Sequence, residues 1–322
     1  MLPAALQAAI DARMHGVSRT AMAAASAVLS EHYRAGRASQ KAIDSTLSVD
    51  AYLLARLPAT YAAMHAALGQ VAKALPAFQP KSILDLGAGP GTASWAACEL
   101  WPGIERITML DAHAGFRQTA LELSTAADHP ALRAATYRLE TLSAATKLPP
   151  ADLIVMGYAL AEMPQAIATL GAKLWQACTG VALIVEPGTP AGYARILDAR
   201  TAFIQAGAVL AAPCPHTAPC PITPPDWCHF SVRLARSRDH MALKGATVPY
   251  EDERFSYVAA SRFPSEPVAA RVLMPPVQTP AGIICKLCGA NGQIETPVVS
   301  VRDKAVYKRY KKVKWGEGLK GI

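Results

Sequence analysis

The chain has 322 residues, 52% hydrophobic and 17% charged. This allows one ordinary domain with large elaborations and a sizeable core, and it excludes wholesale disorder. No apolar run reaches the roughly 18 residues needed to cross a bilayer, so no membrane association is expected. Of the net charge of +8, a surplus of six lies between Arg302 and Lys320, where eight Lys and Arg face only Asp303 and Glu317. A basic segment of this kind is the electrostatic footprint of a polyanion partner.

Residues 1–79 read as a helical region. The alanine-rich start, residues 1–37, has the scattered arginines of a transit peptide. Asp11 and Glu31 within it argue instead for a folded helix of a cytosolic protein. Apolar residues recur at helical spacing over 2–10 and again over 51–57, where Pro58 breaks or restarts the helix. Residues 36–39 are the expected break between helices. Residues 80–206 change pattern. Short apolar strands are expected at 82–86, 106–111, 152–156 and 181–186, with a helix over 92–100. Continuous apolar strands alternating with helices predict a parallel sheet covered on both faces. Residues 207–322 are proline-rich and hold a cysteine insertion, strand-like runs at 229–234, 255–261 and 282–287, and the basic tail.

The first strand runs into Asp85-Leu86-Gly87-Ala88-Gly89-Pro90-Gly91-Thr92, and a helix follows. Glycines there let the backbone turn sharply and approach a ligand, and the helix N-terminus offers free N–H groups. Asp111 ends the second strand, where a carboxylate can accept ribose hydroxyls. The motif resembles the first motif of class I methyltransferases more than the G-x-G-x-x-G of dehydrogenases. It marks Asp85, Gly87, Ala88, Gly89, Gly91 and Asp111 as residues for S-adenosylmethionine. The bland alternative is a tight turn with no ligand. After the fourth-position strand, enzymes that methylate exocyclic amines carry Asp or Asn followed by Pro-Pro and an aromatic residue. This chain has Gly157-Tyr158-Ala159-Leu160-Ala161-Glu162 instead. Tyr158 and Glu162 are the candidate catalytic groups. The favoured reading is that Tyr158 packs the pocket and Glu162 caps or solvates a helix.

Seven cysteines are present. Cys98 and Cys178 sit in helix-like apolar contexts and read as inert core. Cys214, Cys220, Cys228, Cys285 and Cys288 cluster in the last third. Covalent catalysis by Cys214 or Cys220, each after a proline, would use only one of them. A shared metal explains them together, and four thiolates suit either zinc or an iron–sulfur cluster. Cys214-x5-Cys220-x7-Cys228 lacks the C-x2-4-C spacing usual for structural zinc.

Several segments together resemble the methyltransferase-like proteins of the small ribosomal subunit, found in bacteria and as mitochondrial assembly factors. They are Tyr52-x3-Arg56-x-Pro58-Ala59-Thr60-Tyr61, the Asp85 loop, Val185-Glu186-Pro187-Gly188-Thr189-Pro190-x-Gly192, the cysteine cluster, Arg254-Phe255-Ser256-Tyr257 and Lys314-Trp315-Gly316. The usual Trp-Gly-Asp ending is Trp315-Gly316-Glu317 here. The resemblance implies an α/β class I S-adenosylmethionine-dependent methyltransferase core, Rossmann-like, with an N-terminal helical region and a cysteine-rich, metal-binding C-terminal elaboration. It implies a [4Fe-4S] cluster on Cys214, Cys220, Cys228 and Cys288, with Cys285 as the alternative fourth ligand. Cys288 is preferred because Gly292 follows four residues on and Gln293-Ile294-Glu295 continues the pattern. The implied partner is the small ribosomal subunit and its rRNA. The sequence does not fix the oligomeric state; a monomer is expected, in the bacterial cytoplasm or, in a eukaryote, in mitochondria.

In the tail, Lys304, Lys308, Arg309, Lys311, Lys312 and Lys314 are the expected phosphate contacts. Tyr307, Tyr310 and Trp315 are expected to stack on bases. Two functions therefore compete: an rRNA or ribosomal-protein methyltransferase, and an assembly factor whose cofactor and cluster serve structure or sensing. A third reading, a zinc-stapled RNA-binding protein, differs from the second mainly in the metal.

Overall fold

The computed structural model describes residues 1–34, 43–143, 145–163 and 167–321. Four helices open the chain: α1 (Ala4–Met14), α2 (Arg19–Arg34), α3 (Thr46–Ala55) and α4 (Leu57–Ala74). The break expected at 36–39 lies outside the described residues. Ser45 and Ser48 form a capping box that starts α3. Pro58 sits in the first turn of α4, where no N–H is needed, so it restarts the helix.

The α/β core follows: β1 (Ser82–Leu86), α5 (Thr92–Leu100), β2 (Arg106–Asp111), α6 (Ala114–Thr125), α7 (Pro130–Arg133), β3 (Thr136–Leu139), β4 (Ala151–Gly157), α8 (Ile167–Ala177), β5 (Cys178–Pro187), α9 (Pro190–Gln205) and β6 (Val209–Ala212). After β7 (Phe230–Ala235) and α10 (Arg238–Lys244) comes the long β8 (Tyr250–Ser261). The sheet order is β3-β2-β1-β4-β5-β8-β6, with β7 also paired to β8. Strands β1 to β5 are parallel, and β8 runs antiparallel to β5, β6 and β7. This is the class I methyltransferase fold. The four expected strands are β1, β2, β4 and β5; β3 and β6 are additional.

Side-chain alternation explains the apolar runs. Ile83, Leu153, Val155 and Leu183 join one core with α4 and α5, whereas Leu84, Ile154, Met156 and Ile184 join the other with α8 and α9. The first core also takes Leu6, Ile10, Leu53, Leu57, Met64 and Leu68, so the N-terminal helices cover one face of the sheet. Leu57 and Leu68 are fully buried, and each such side chain contributes on the order of 2 kcal/mol.

The last stretch adds β9 (Ala270–Val272), β10 (Val277–Thr279), β11 (Gly282–Ile284), β12 (Leu287–Gly289), β13 (Ile294–Glu295), β14 (Val298–Ser300), α11 (Lys304–Tyr310) and β15 (Gly318–Leu319). They form two small sheets, β10-β11-β14 and β13-β12-β9-β15, around a core that includes Val272, Ile283, Leu287 and Tyr310.

Candidate functional site

Strand order reverses between β1 and β4, and ligands of open α/β sheets bind outside the carboxyl ends of strands at such a point. Gly87, Gly89 and Gly91 all have positive φ, at 64°, 53° and 83°. A Cβ on Gly87 would lie 2.6 Å from the Cβ of Ala159, so the turn needs glycine for both conformation and space. The N–H groups of Gly87 and Ala88 donate to the Leu110 carbonyl at 2.9 and 3.1 Å, and the Tyr137 hydroxyl donates to the Gly89 carbonyl at 2.9 Å. The loop is thus fixed to β2 and β3 by hydrogen bonds of its own backbone.

Among the expected cofactor residues, Gly87, Gly89 and Asp111 line a cleft of about 120 Å³. Asp111 accepts from the Gly89 N–H at 3.0 Å and the His113 N–H at 2.8 Å. Asp85, Ala88 and Gly91 do not line it. Asp85 is buried beneath the loop and accepts from the Ser94 N–H and hydroxyl at 3.1 and 2.8 Å, which ties β1 to the first turn of α5. Burial pushes its carboxyl up to about 7, against the lowering effect of the Ser94 bonds. Tyr158 and Glu162 also line the cleft. Phe116 and Glu140, which no sequence motif marks, line it too, as does Tyr52, which the sequence marks only as the start of the motif that ends at Tyr61. Tyr52 meets Phe116 edge-on at 4.9 Å.

Tyr158 is the one non-glycine residue with positive φ among the described residues, at 58°. Strain of this kind persists where surrounding contacts over-determine it. Its hydroxyl donates to Glu253 at 2.8 Å, and Arg56 reaches the same carboxylate oxygen at 3.5 Å. Burial, then the Glu253 charge, raises the phenol far above its ordinary range and keeps it protonated. Behind it, the fully buried Glu186 accepts from the Leu160 N–H at 3.1 Å and from Arg195 Nε at 2.7 Å. The rest of this motif is packing. Thr189 caps α9 by accepting from the Gly192 N–H at 3.1 Å. Gly188 lies where a Cβ would meet the backbone of Arg254 and Phe255 at 2.7 Å.

Cys214, Cys220, Cys228 and Cys288 line a second cavity, of about 30 Å³, that shares no lining residue with the cleft. All seven cysteines are free. Cys285 is elsewhere, fully buried in the C-terminal core with Tyr310. Tyr193 Oη lies 3.1 Å from Cys220 Sγ, and Cys288 Sγ lies 3.4 Å from His216 Nε2. Burial first, and the neighbouring sulfurs after it, push the Cys288 thiol up to about 12 and that of Cys228 well above its ordinary value. Among the described residues, no three His, Cys, Asp or Glu side chains stand close enough to hold a metal ion as they are.

The charge around this cavity is unusual. Arg200 and Arg271 line it, are 5% and 4% exposed, and have no carboxylate partner among the described residues. Arg271 donates to the carbonyls of Pro213 and Gly316 and to Gln70; Arg200 donates to the carbonyls of His216 and Ala218. Arg200 Nε and the Tyr257 hydroxyl have no partner among the described residues. Buried charges are ordinarily paired, so two guanidinium groups beside four sulfurs fit a donor set that carries negative charge.

Lys304, Lys308, Arg309, Lys311, Lys312 and Lys314 are all exposed on or just after α11. Arg309 donates to the Gly321 carbonyl. The stacking expected of Tyr307 and Tyr310 needs correction. Tyr310 is 1% exposed and anchors α11, with Tyr307 packed on the same core. Trp315 stays half-buried, edge-on to His229 at 5.1 Å. Val306, Tyr310 and Val313 recur at helical spacing, so the apolar stripe faces inward.

A family model described as mitochondrial small ribosomal subunit Rsm22 matches residues 46–320. The human mitochondrial ribosome assembly protein METTL17 is 26% identical over 288 residues, which cover 83% of this chain. The chain spans 61% of the length of that relative. Among solved structures, a SAM-dependent methyltransferase from Aquifex aeolicus is 11% identical with a TM-score of 0.41, covering 68% of this chain and 99% of that one. Magnesium protoporphyrin IX methyltransferase from Synechocystis, with bound SAM, is 12% identical with a TM-score of 0.38, covering 73% and 84%.

Proposed function

We propose, from the premise that this chain belongs to the family of the mitochondrial small ribosomal subunit protein Rsm22, that it is an assembly factor of the small ribosomal subunit that binds S-adenosylmethionine, a [4Fe-4S] cluster and rRNA. The observation that carries the reading is the second cavity. Three cysteines from the connection between β6 and β7 and one from β12 meet two buried arginines that lack carboxylate partners among the described residues. Cys214, Cys220, Cys228 and Cys288 would hold the cluster. Bound there, it supplies a cross-link between the segment after β6, the approach to β7, and β12. Arg200 and Arg271 balance its charge.

In the cleft, the loop of Gly87 and Gly89 cradles the amino-acid part of S-adenosylmethionine, and Asp111 accepts ribose hydroxyls. Bound there, the cofactor supplies an activated methyl group. Tyr158, held protonated against Glu253, packs and orients what lies beside it. The exposed lysines of the tail contact rRNA phosphates. The protein acts in the cytoplasm of a bacterium, or in mitochondria of a eukaryote.

Anaerobic purification with iron, sulfide and zinc assays tests the cluster. About four iron and four sulfide per chain are expected, lost together in Cys228→Ser. A colourless protein holding zinc replaces the cluster with a structural zinc site and leaves an RNA-binding protein without a redox group.

A second reading, an active rRNA methyltransferase, is favoured by the strained Tyr158 backbone in the lining of the cleft. It requires one specific rRNA mark to vanish with the gene. Wild type restores that mark, and Gly89→Arg does not.

A further inference from the structure

A third concavity, of about 230 Å³, opens beside the cysteine cavity and shares Ile222, Cys228 and Leu273 with it. Its walls are aromatic. Trp227 and His229 stack, with ring centroids 5.2 Å apart and planes 23° apart, and Trp315 meets His229 edge-on at 5.1 Å. All three rings are partly exposed. Trp227 is pinned, because its indole N–H donates to the Gly188 carbonyl at 3.0 Å. The indole N–H of Trp315 is buried and has no acceptor among the described residues. Met274 and Pro275 close the apolar side. At the rim, Lys286 pairs with Asp226, which places a donor and an acceptor next to the rings.

We propose that this concavity is a subsite for one unstacked base of single-stranded RNA. Sequence-tolerant strand binding combines aromatic faces with nearby cations. Both are here. Trp315 directly follows Lys314 of the basic tail, and Arg271 fastens this point to the cysteine cavity through the Gly316 carbonyl at 2.9 Å. A strand tracking the exposed tail lysines therefore arrives at the aromatic walls. The base slots against Trp227 and Trp315, and its edge meets Lys286 and Asp226. The inference rests on the RNA-binding reading above and adds to it a site for bases as distinct from phosphates.

The test uses the full chain with its metal content measured, and two labelled 12-nucleotide RNAs of equal charge, one oligouridine and one abasic. Oligouridine is expected to bind roughly tenfold more tightly than the abasic strand, in keeping with one stacked base. It is expected to quench tryptophan emission, which the abasic strand does not. Trp227→Ala and, separately, Trp315→Ala erase the preference and leave abasic binding unchanged, whereas Trp315→Phe keeps most of it. Trp315 is not adjacent to a cysteine, so its variants remain informative if Trp227→Ala loses metal. Equal binding of both strands by wild type, lost on changing the tail lysines to glutamine, overturns the base subsite and leaves the RNA reading standing. No binding of either strand overturns both. A pocket that ignores both RNAs and takes up a protein segment of the small subunit also overturns the proposal.

Discussion

Asp85 is 1% exposed, and its only donors among the described residues come from Ser94, so its charge is poorly stabilised. Its folded pKa, about 7, exceeds the ordinary 3.8. The folded state therefore holds this proton more tightly than the unfolded chain. The resulting stability is present in full below about pH 4 and is lost as pH rises through 7. Asp85→Asn keeps an acceptor for Ser94 and removes the titration. Its stability relative to wild type, read from melting temperatures, is expected to rise by about 2–3 kcal/mol between pH 5 and pH 8. A difference that does not change with pH refutes the assignment. Gly87→Ala adds a strained φ and a contact with Ala159 that has no flexible side chain to yield. Calorimetry is expected to show at least a tenfold loss of S-adenosylmethionine affinity, about 1.4 kcal/mol or more. The sequence marked both residues as ligand contacts. Strand alternation carried the finer answer: Asp85 shares the face of Ile83, toward α5, so it braces the loop from beneath.

At the scale of elements, the carboxyl end of β5 organises the loop after β4. Glu186 holds the Leu160 N–H on one oxygen and Arg195 on the other. Glu186→Ala strands both donors. The Arg195 side chain is 23% exposed and can recover some hydration, so the cost is expected near about 2–3 kcal/mol by urea unfolding. Because Leu160 follows Tyr158 and Ala159, cofactor affinity should fall in parallel; unchanged affinity would separate this pair from the cleft. Strands β1, β2, β4 and β5 were legible because both of their faces are covered. Strands β3 and β6 have four residues each and end the sheet, which leaves too little pattern to read. The first half of β8 alternates between exposed and covered positions, so only its buried half stood out. Which of Cys285 and Cys288 joins the other three depends on the bend between β11 and β12, and spacing alone does not encode that bend.

Over the whole molecule, the tail is fastened at its inner side and free at its outer one. Tyr310 and Val313 are buried, Gly316 is held by Arg271, and among the described residues the ammonium groups of Lys308, Lys311, Lys312 and Lys314 pair with no carboxylate. Composition located this charge, but the anchoring aromatics looked like stacking groups until the helical period turned them inward. A rigid helix edge of unpaired ammonium groups releases counterions when phosphates replace them, and each such contact contributes about 0.7 to the salt slope on a single strand. Changing Lys308, Lys311, Lys312 and Lys314 to glutamine is therefore expected to make the plot of log affinity against log salt shallower by about 3 on a small-subunit rRNA fragment. The fold should be untouched, because all four side chains are exposed. Arg309→Gln should change the slope less, since its guanidinium is already engaged by the Gly321 carbonyl. Filter binding from 50 to 300 mM potassium chloride reads both slopes. Equal slopes for the quadruple variant and wild type would remove the tail from the rRNA interface and move the search to the other cations on the surface.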